Sequence, residues 1–164
     1  MATTTSGTAR VSLPADNQIL ITREFNAPRA LVWKAYTTPD LVKRWWAGQR
    51  GSVTSAEIDL RVGGSWRYVM GADGGFEVAF RGVYREIEAP ARLVNTEVFE
   101  GLPEPDEHTG LVTVTFTEKD GRTYMEMLCE YKDVADRDAV IASGMEGGMQ
   151  ESMDQLEIVA DSLS

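Results

Sequence analysis

The stretch DRDAVIASGMEGGMQESMDQLEIVADSL, residues 136–163, carries apolar side chains at Val140, Ile141, Met145, Met149, Met153, Leu156, Val159 and Ala160. That spacing gathers them on one stripe of a helix. Read as a single helix, the segment is roughly 40 Å long at 1.5 Å per residue, with Glu146, Gln150, Glu151, Asp154, Glu157 and Asp161 left for water. Such a helix needs an apolar partner surface of similar length. Gly144, Gly147 and Gly148 lie inside it, each costing about 1 kcal/mol relative to alanine, which points to a bend or a close approach by another segment. Met145, Met149 and Met153 present a flexible, polarisable surface that reads as core filler or as the lid of a cavity for variable apolar ligands.

The partner surface lies upstream. After Gly51 the segments SVTSAEIDL, GSWRYVM, FEVAFRGVYREI, ARLVNTEVF, LVTVTFTE and RTYMEMLCEYK read as strands separated by glycine, proline and Asp-Gly turns. QILITREFN, starting at Gln18, reads as a seventh strand preceding the others. Between it and Gly51, Pro28 and Pro39 each open a short helix, the second ending in Trp45-Trp46. Short links make consecutive strands antiparallel neighbours. Alternation places Trp66, Tyr68 and Met70, then Val78, Phe80 and Tyr84, then Met125, Met127 and Cys129 on apolar faces, with Arg67 opposite. The expected fold is α+β: a seven-stranded, curved antiparallel sheet with the long C-terminal helix across its concave side and two short helices after the first strand.

Composition sets outer bounds. The chain has 164 residues, enough for one domain with its own core. Residues 17–164 are expected to form that domain and residues 1–16, MATTTSGTARVSLPAD, a loose, disordered tail. A net charge of −10 argues against nucleic acid and anionic membranes as partners. Cys129 is the single cysteine, so no internal disulfide is expected, and no signal segment or membrane-length apolar run appears. A cytoplasmic location without membrane insertion is the expectation.

The segments REFNAPRALVWKAYTTPDLVKRWW, EIDLRVGGSWRY, GVYREIEAPARLVNTE and SGMEGGMQESMDQLEIVAD together resemble the activator of Hsp90 ATPase homologue-like group of the START / Bet v 1-like (SRPBCC) superfamily. The resemblance runs from about residue 18 to the C-terminus. It implies a helix-grip fold, in which a curved sheet grips the C-terminal helix around a cavity. The superfamily includes lipid carriers, hormone-binding proteins, polyketide cyclases and co-chaperone domains, so the resemblance specifies the fold more narrowly than the activity. With no second domain of the sort the eukaryotic co-chaperone uses to engage its partner, an Hsp90-type chaperone is not the expected partner.

Candidate chemistry is sparse. His108 is the single histidine, in the acidic loop GLPEPDEHTG, so no His pair or His/Cys cluster offers a metal site. No nucleophile–base set or phosphate loop is evident, and neither a cofactor nor a catalytic residue is assigned. Asp59 and Arg61 read as a structural ion pair. In LVNTEVF, Glu97 shares a face with Leu93, Asn95 and Phe99; if that face is buried, its pKa rises and it becomes a candidate acid or base, together with Tyr68 and Tyr84. The leading expectation is a cavity binding a small apolar or aromatic molecule. Its lining is expected to comprise Trp45, Trp66, Tyr68, Met70, Phe80 and Tyr84 from the helices and central strands, Met125 and Met127 from the last strand, and Met145, Met149 and Met153 from the C-terminal helix. The alternatives are a polyketide cyclase or dehydratase-like enzyme, which needs a polar side chain deep in the cavity, and a chaperone-associated interaction module, which needs an exposed apolar patch around Trp33 or Trp46. A homodimer is compatible with all three.

Overall fold

Along QILITREF, Ile19, Ile21, Arg23 and Phe25 are all buried and their neighbours are not, the period of a strand with one covered face. The same alternation organises the whole sheet. In the computed structural model, which describes residues 9–72 and 74–164, the order is β1 (Arg10–Ser12), β2 (Gln18–Phe25), α1 (Arg29–Thr37), α2 (Pro39–Trp45), β3 (Gly51–Ile58), β4 (Ser65–Ala72), β5 (Glu77–Glu88), β6 (Arg92–Phe99), a 3-10 turn (Pro105–His108), β7 (Gly110–Lys119), β8 (Arg122–Glu130), α3 (Val134–Ala142) and α4 (Met145–Asp161).

The strands form one antiparallel sheet in the order β1-β2-β8-β7-β6-β5-β4-β3. Consecutive strands from β3 to β8 are neighbours through short turns; β2 joins the far side by pairing with β8. Register irregularities at Val53/Ser55 and Tyr84/Glu86 add the local bending expected of bulges. The architecture is the predicted α+β class, with the helices on the concave face.

Two expectations are corrected in detail. The sequence predicts seven strands and a loose tail over residues 1–16; residues 1–8 lie outside the described residues, while Arg10–Ser12 pairs with β2 as an eighth strand, Val11 opposite Ile21. Three residues are too few to show a period, and what fixes them is distant in sequence. The Ala9 N–H donates to Gln150 Oε1 at 3.0 Å and Gln150 Nε2 donates back to the Ala9 carbonyl at 2.8 Å.

The sequence also predicts one helix over residues 136–163, and the structure has two. Gly144 takes φ +82°, a left-handed conformation that glycine adopts without a Cβ penalty and that terminates α3. Asp133 starts α3 by accepting from the Asp136 N–H at 2.9 Å. The methionine stripe survives the break, because Met145, Met149 and Met153 all belong to α4.

Helix α4 packs on α1 and α2 and buries Met153, Leu156, Val159 and Ala160. Its position over the sheet is set by Arg23, fully buried on β2, whose guanidinium donates to Asp154 Oδ1 at 2.7 Å and Glu157 Oε1 at 2.9 Å. Glu157 Oε2 also accepts from the Asn26 N–H at 2.7 Å, and the Ser152 hydroxyl donates to the Trp46 carbonyl at 2.7 Å. The Asp59–Arg61 pair forms as expected at 2.9 Å, but with side chains 50% and 70% exposed it does not hold the C-terminal helix. We expect Arg23→Met to lose about 3 kcal/mol in urea unfolding, because Glu157 is left covered without its cation. Arg61→Met is expected to change stability by less than about 1 kcal/mol.

Candidate functional site

The pleat lays the inner-face side chains in rows across the sheet. One row runs Tyr84, Asn95, Val112, Cys129 and Ile19 through β5, β6, β7, β8 and β2. The next runs Leu93, Val114, Met127 and Ile21, and a third runs Phe116, Met125 and Arg23. Where α1 and α4 sit against the third row the interior is solid: Phe116 and Met125 are fully buried. Towards the first row the helices stand off from the sheet, leaving a cavity of about 600 Å³.

Nine predicted lining residues face this cavity: Trp45, Trp66, Tyr68, Phe80, Tyr84, Met127, Met145, Met149 and Met153. Two do not. Met125 lies one row too far towards the closed end, packed in the core. Met70, paired with Val53 and Val78 near the end of β4, is absent from the lining. Alternation identifies the face of a strand; it does not say how far along that face a helix stays in contact.

The aromatic walls are ordered by contacts among themselves. Tyr36 stacks on Trp45 with centroids 5.5 Å apart, while Trp45 Nε1 donates to the Ala35 carbonyl at 2.9 Å. Trp46 packs edge-on against Tyr68 and Phe80. Trp66 lies over Gly82, where any Cβ would collide with it, and its Nε1 donates to the Thr96 carbonyl at 3.2 Å.

The polar groups of the cavity were legible only in part. Glu97 lines it beside Leu93, Asn95 and Phe99, so the buried alternative for that strand holds. The residue is half-buried and faces the cavity, where burial pushes the pKa of its carboxyl up to about 7. Its charge reaches Tyr36, Tyr68, Cys129 and Tyr131. Burial lifts the Cys129 thiol to about 12, far from a thiolate nucleophile, and raises all four lining tyrosines, Tyr36, Tyr68, Tyr84 and Tyr131. Tyr68 and Tyr84 influence each other's titration, as do Tyr131 and Cys129.

His108 is drawn out of its acidic loop into the lining, where Nδ1 lies 2.9 Å from Asp136 Oδ1 on α3. Nothing in the sequence joined these two residues, which are 28 positions apart. Its loop neighbour Asp106 turns away to meet Arg81 at 3.0 Å, and among the described residues no group of three or more His, Cys, Asp or Glu side chains is placed to hold a metal. Exposed lining residues Leu102, Ala139 and Ser143 mark the mouth. Arg67 points to the outer face, as parity predicts, and pairs with Glu100 at 2.8 Å.

A sheet gripping a C-terminal helix around an aromatic cavity is the arrangement that the family comparison meets. The sequence profile described as Activator of Hsp90 ATPase homolog 1-like protein matches residues 26–161. The chain belongs to that family. Solved structures share the fold of this activator of Hsp90 ATPase homolog 1-like chain. A Rhodobacter sphaeroides protein superimposes with a TM-score of 0.86 at 25% identity, covering 96% of this chain and 100% of that one. Mycobacterium smegmatis Ms6760 gives 0.83 at 24%, covering 93% and 96%, and an AHSA1-like protein of Aeromonas hydrophila gives 0.65 at 25%, covering 85% and 92%. The fold is consistent with the wider SRPBCC/Bet v 1-like superfamily. No curated protein matches the sequence, and among the described residues no helix is long and apolar enough to cross a membrane.

A carboxyl whose folded pKa lies near 7, against an unfolded value of 4.5, makes the native state the better proton binder between those pH values. Stability from this group is present below about pH 4.5 and is lost as pH rises through 7. We expect Glu97→Gln to match the parent in thermal unfolding at pH 4.5 and to exceed it by about 2–3 kcal/mol at pH 8.5.

Proposed function

We propose that this protein binds a small molecule with an apolar or aromatic body between the sheet and the C-terminal helix. The observation that carries this reading is the cavity itself: about 600 Å³, walled by Trp45, Trp46, Trp66, Phe80, Phe99 and the α4 methionines. That volume falls within the range of drug-sized ligand sites. Burial of apolar area supplies the affinity, at about 25 cal/mol per Å² before the costs of association. The methionines on α4 can repack around ligands of different outline. The setting is the cytoplasm, the cavity needs no cofactor for this role, and self-association is compatible with it.

A second reading is favoured by one observation. Glu97, half-buried and near neutrality, gives the cavity the inward polar group that a cyclase or dehydratase-like enzyme requires, and Tyr36 and Tyr68 stand close enough to feel its charge. In that case Glu97 exchanges a proton with a folded polyketide-like chain as general acid or base. An interaction-module role has less support: Trp33 is buried and Trp46 is packed against Tyr68 and Phe80, so neither indole offers a docking surface.

The test uses the neutral dye N-phenyl-1-naphthylamine. One equivalent is expected to bind with enhanced fluorescence. Met149→Lys is expected to weaken binding at least about tenfold while the thermal unfolding midpoint stays within a few degrees. Parallel loss of binding and folding, or no binding by the parent protein, refutes the reading.

A further inference from the structure

The polar groups of the cavity differ in whether the protein partners them. The Asn95 side-chain amide donates to the Thr96 carbonyl at 3.0 Å, which leaves its oxygen as an acceptor. His108 Nδ1 is occupied by Asp136. Among the described residues the Glu97 carboxyl lines the cavity and receives no hydrogen bond from the protein; burial alone accounts for its shift.

The charges lean the same way. Among the described residues that line the cavity there is no lysine or arginine, while Glu97 and Asp136 are both acidic. A carboxylate or phosphate headgroup would enter a space with no free cation to receive it. A neutral hydrocarbon would leave Glu97 buried without a partner, at a cost. A protonated nitrogen removes that cost: it supplies both the opposite charge and N–H donors for the carboxylate, and aromatic neighbours such as Tyr36 and Tyr68 favour cations in addition.

We propose that the molecule this cavity takes is a lipophilic amine: an apolar or aromatic body bearing one protonated nitrogen, which donates to the Glu97 carboxylate. The inference rests on the binding function proposed above and names the chemical class of its ligand. Tyr36 on α1, Tyr68 on β4, Tyr84 on β5, and Cys129 and Tyr131 on β8 surround the pair, and all remain protonated through neutral pH. The other ionisable lining groups are His108 and Asp136.

Three probes with one hydrocarbon body separate the possibilities: 2-(2-naphthyl)ethylamine, 2-(2-naphthyl)ethanol and 2-naphthylacetate, titrated calorimetrically into the full chain. At pH 8.5 the amine is expected to bind at least about tenfold tighter than the alcohol, and the acid weakest. Glu97→Gln is expected to bring the amine down to the alcohol and leave the alcohol unchanged. In the parent protein the preference for the amine should shrink between pH 8.5 and 5.5, a dependence absent in Glu97→Gln. This second measurement stands without the variant's folding, since the parent alone reports the slope. An alcohol that binds as tightly as the amine overturns the amine proposal and leaves apolar binding intact. So does a pH slope that persists in Glu97→Gln. Failure of all three probes to bind overturns both.

Discussion

The buried guanidinium of Arg23 is the contact on which the rest of this structure depends. A cation on the covered face of a strand is unfavourable unless it is met by carboxylates, and those carboxylates, Asp154 and Glu157, sit on α4. The requirement fixes both the height and the rotation of the helix over the sheet. Leu156, between the two carboxylates in sequence, is fully buried, as is Ala160. With one end of α4 held in this way, the other end, carrying Met145 and Met149, stands over the open part of the sheet. The cavity lies between the methionine-bearing half of α4, itself held by Gln150 to Ala9 and by Ser152 to Trp46, and a sheet surface that curves away from it.

Much of this was legible in the residues. The period of two in the strands and the four-residue recurrence of the methionines identified the two surfaces and the order in which they occur, and thus the class of fold. The same arithmetic named nine residues that line the cavity. It failed where position along a face mattered rather than the face itself: Met125 shares parity with Met127 and Cys129, yet it lies under α1 and α4 rather than beside the void. Gly144 was recognised as anomalous within a helix, but composition does not distinguish a bend from a full stop, and its left-handed backbone makes it a stop. The first strand and the His108–Asp136 pair were invisible for a common reason. Each is held by a partner far along the chain, Gln150 for Ala9 and α3 for His108, and no local pattern encodes such partners.

Glu97 shows how an ordinary strand position becomes the chemical centre of a fold. The sheet's pleat alone turns it inward, next to Asn95 in the same row system that carries Leu93 and Phe99. A leucine there would have completed an oily pocket. The carboxyl instead places a polar region among the tyrosines, opposite the methionines of α4.

The pairing of β2 with β8 has a consequence for how the chain is made. Gln18 lies opposite Glu130, and Arg23 meets a carboxylate 134 residues further on. On the ribosome, β2 emerges first with an apolar face and an uncompensated cation, and both wait for almost the entire chain to be synthesised. Closure is thus a late, long-range event, of the kind that makes folding slow and exposes an unpaired strand edge while it is awaited. A polypeptide stalled after β7 would hold five finished strands, β3 to β7, and two strands, β1 and β2, without the neighbour that joins them to the rest.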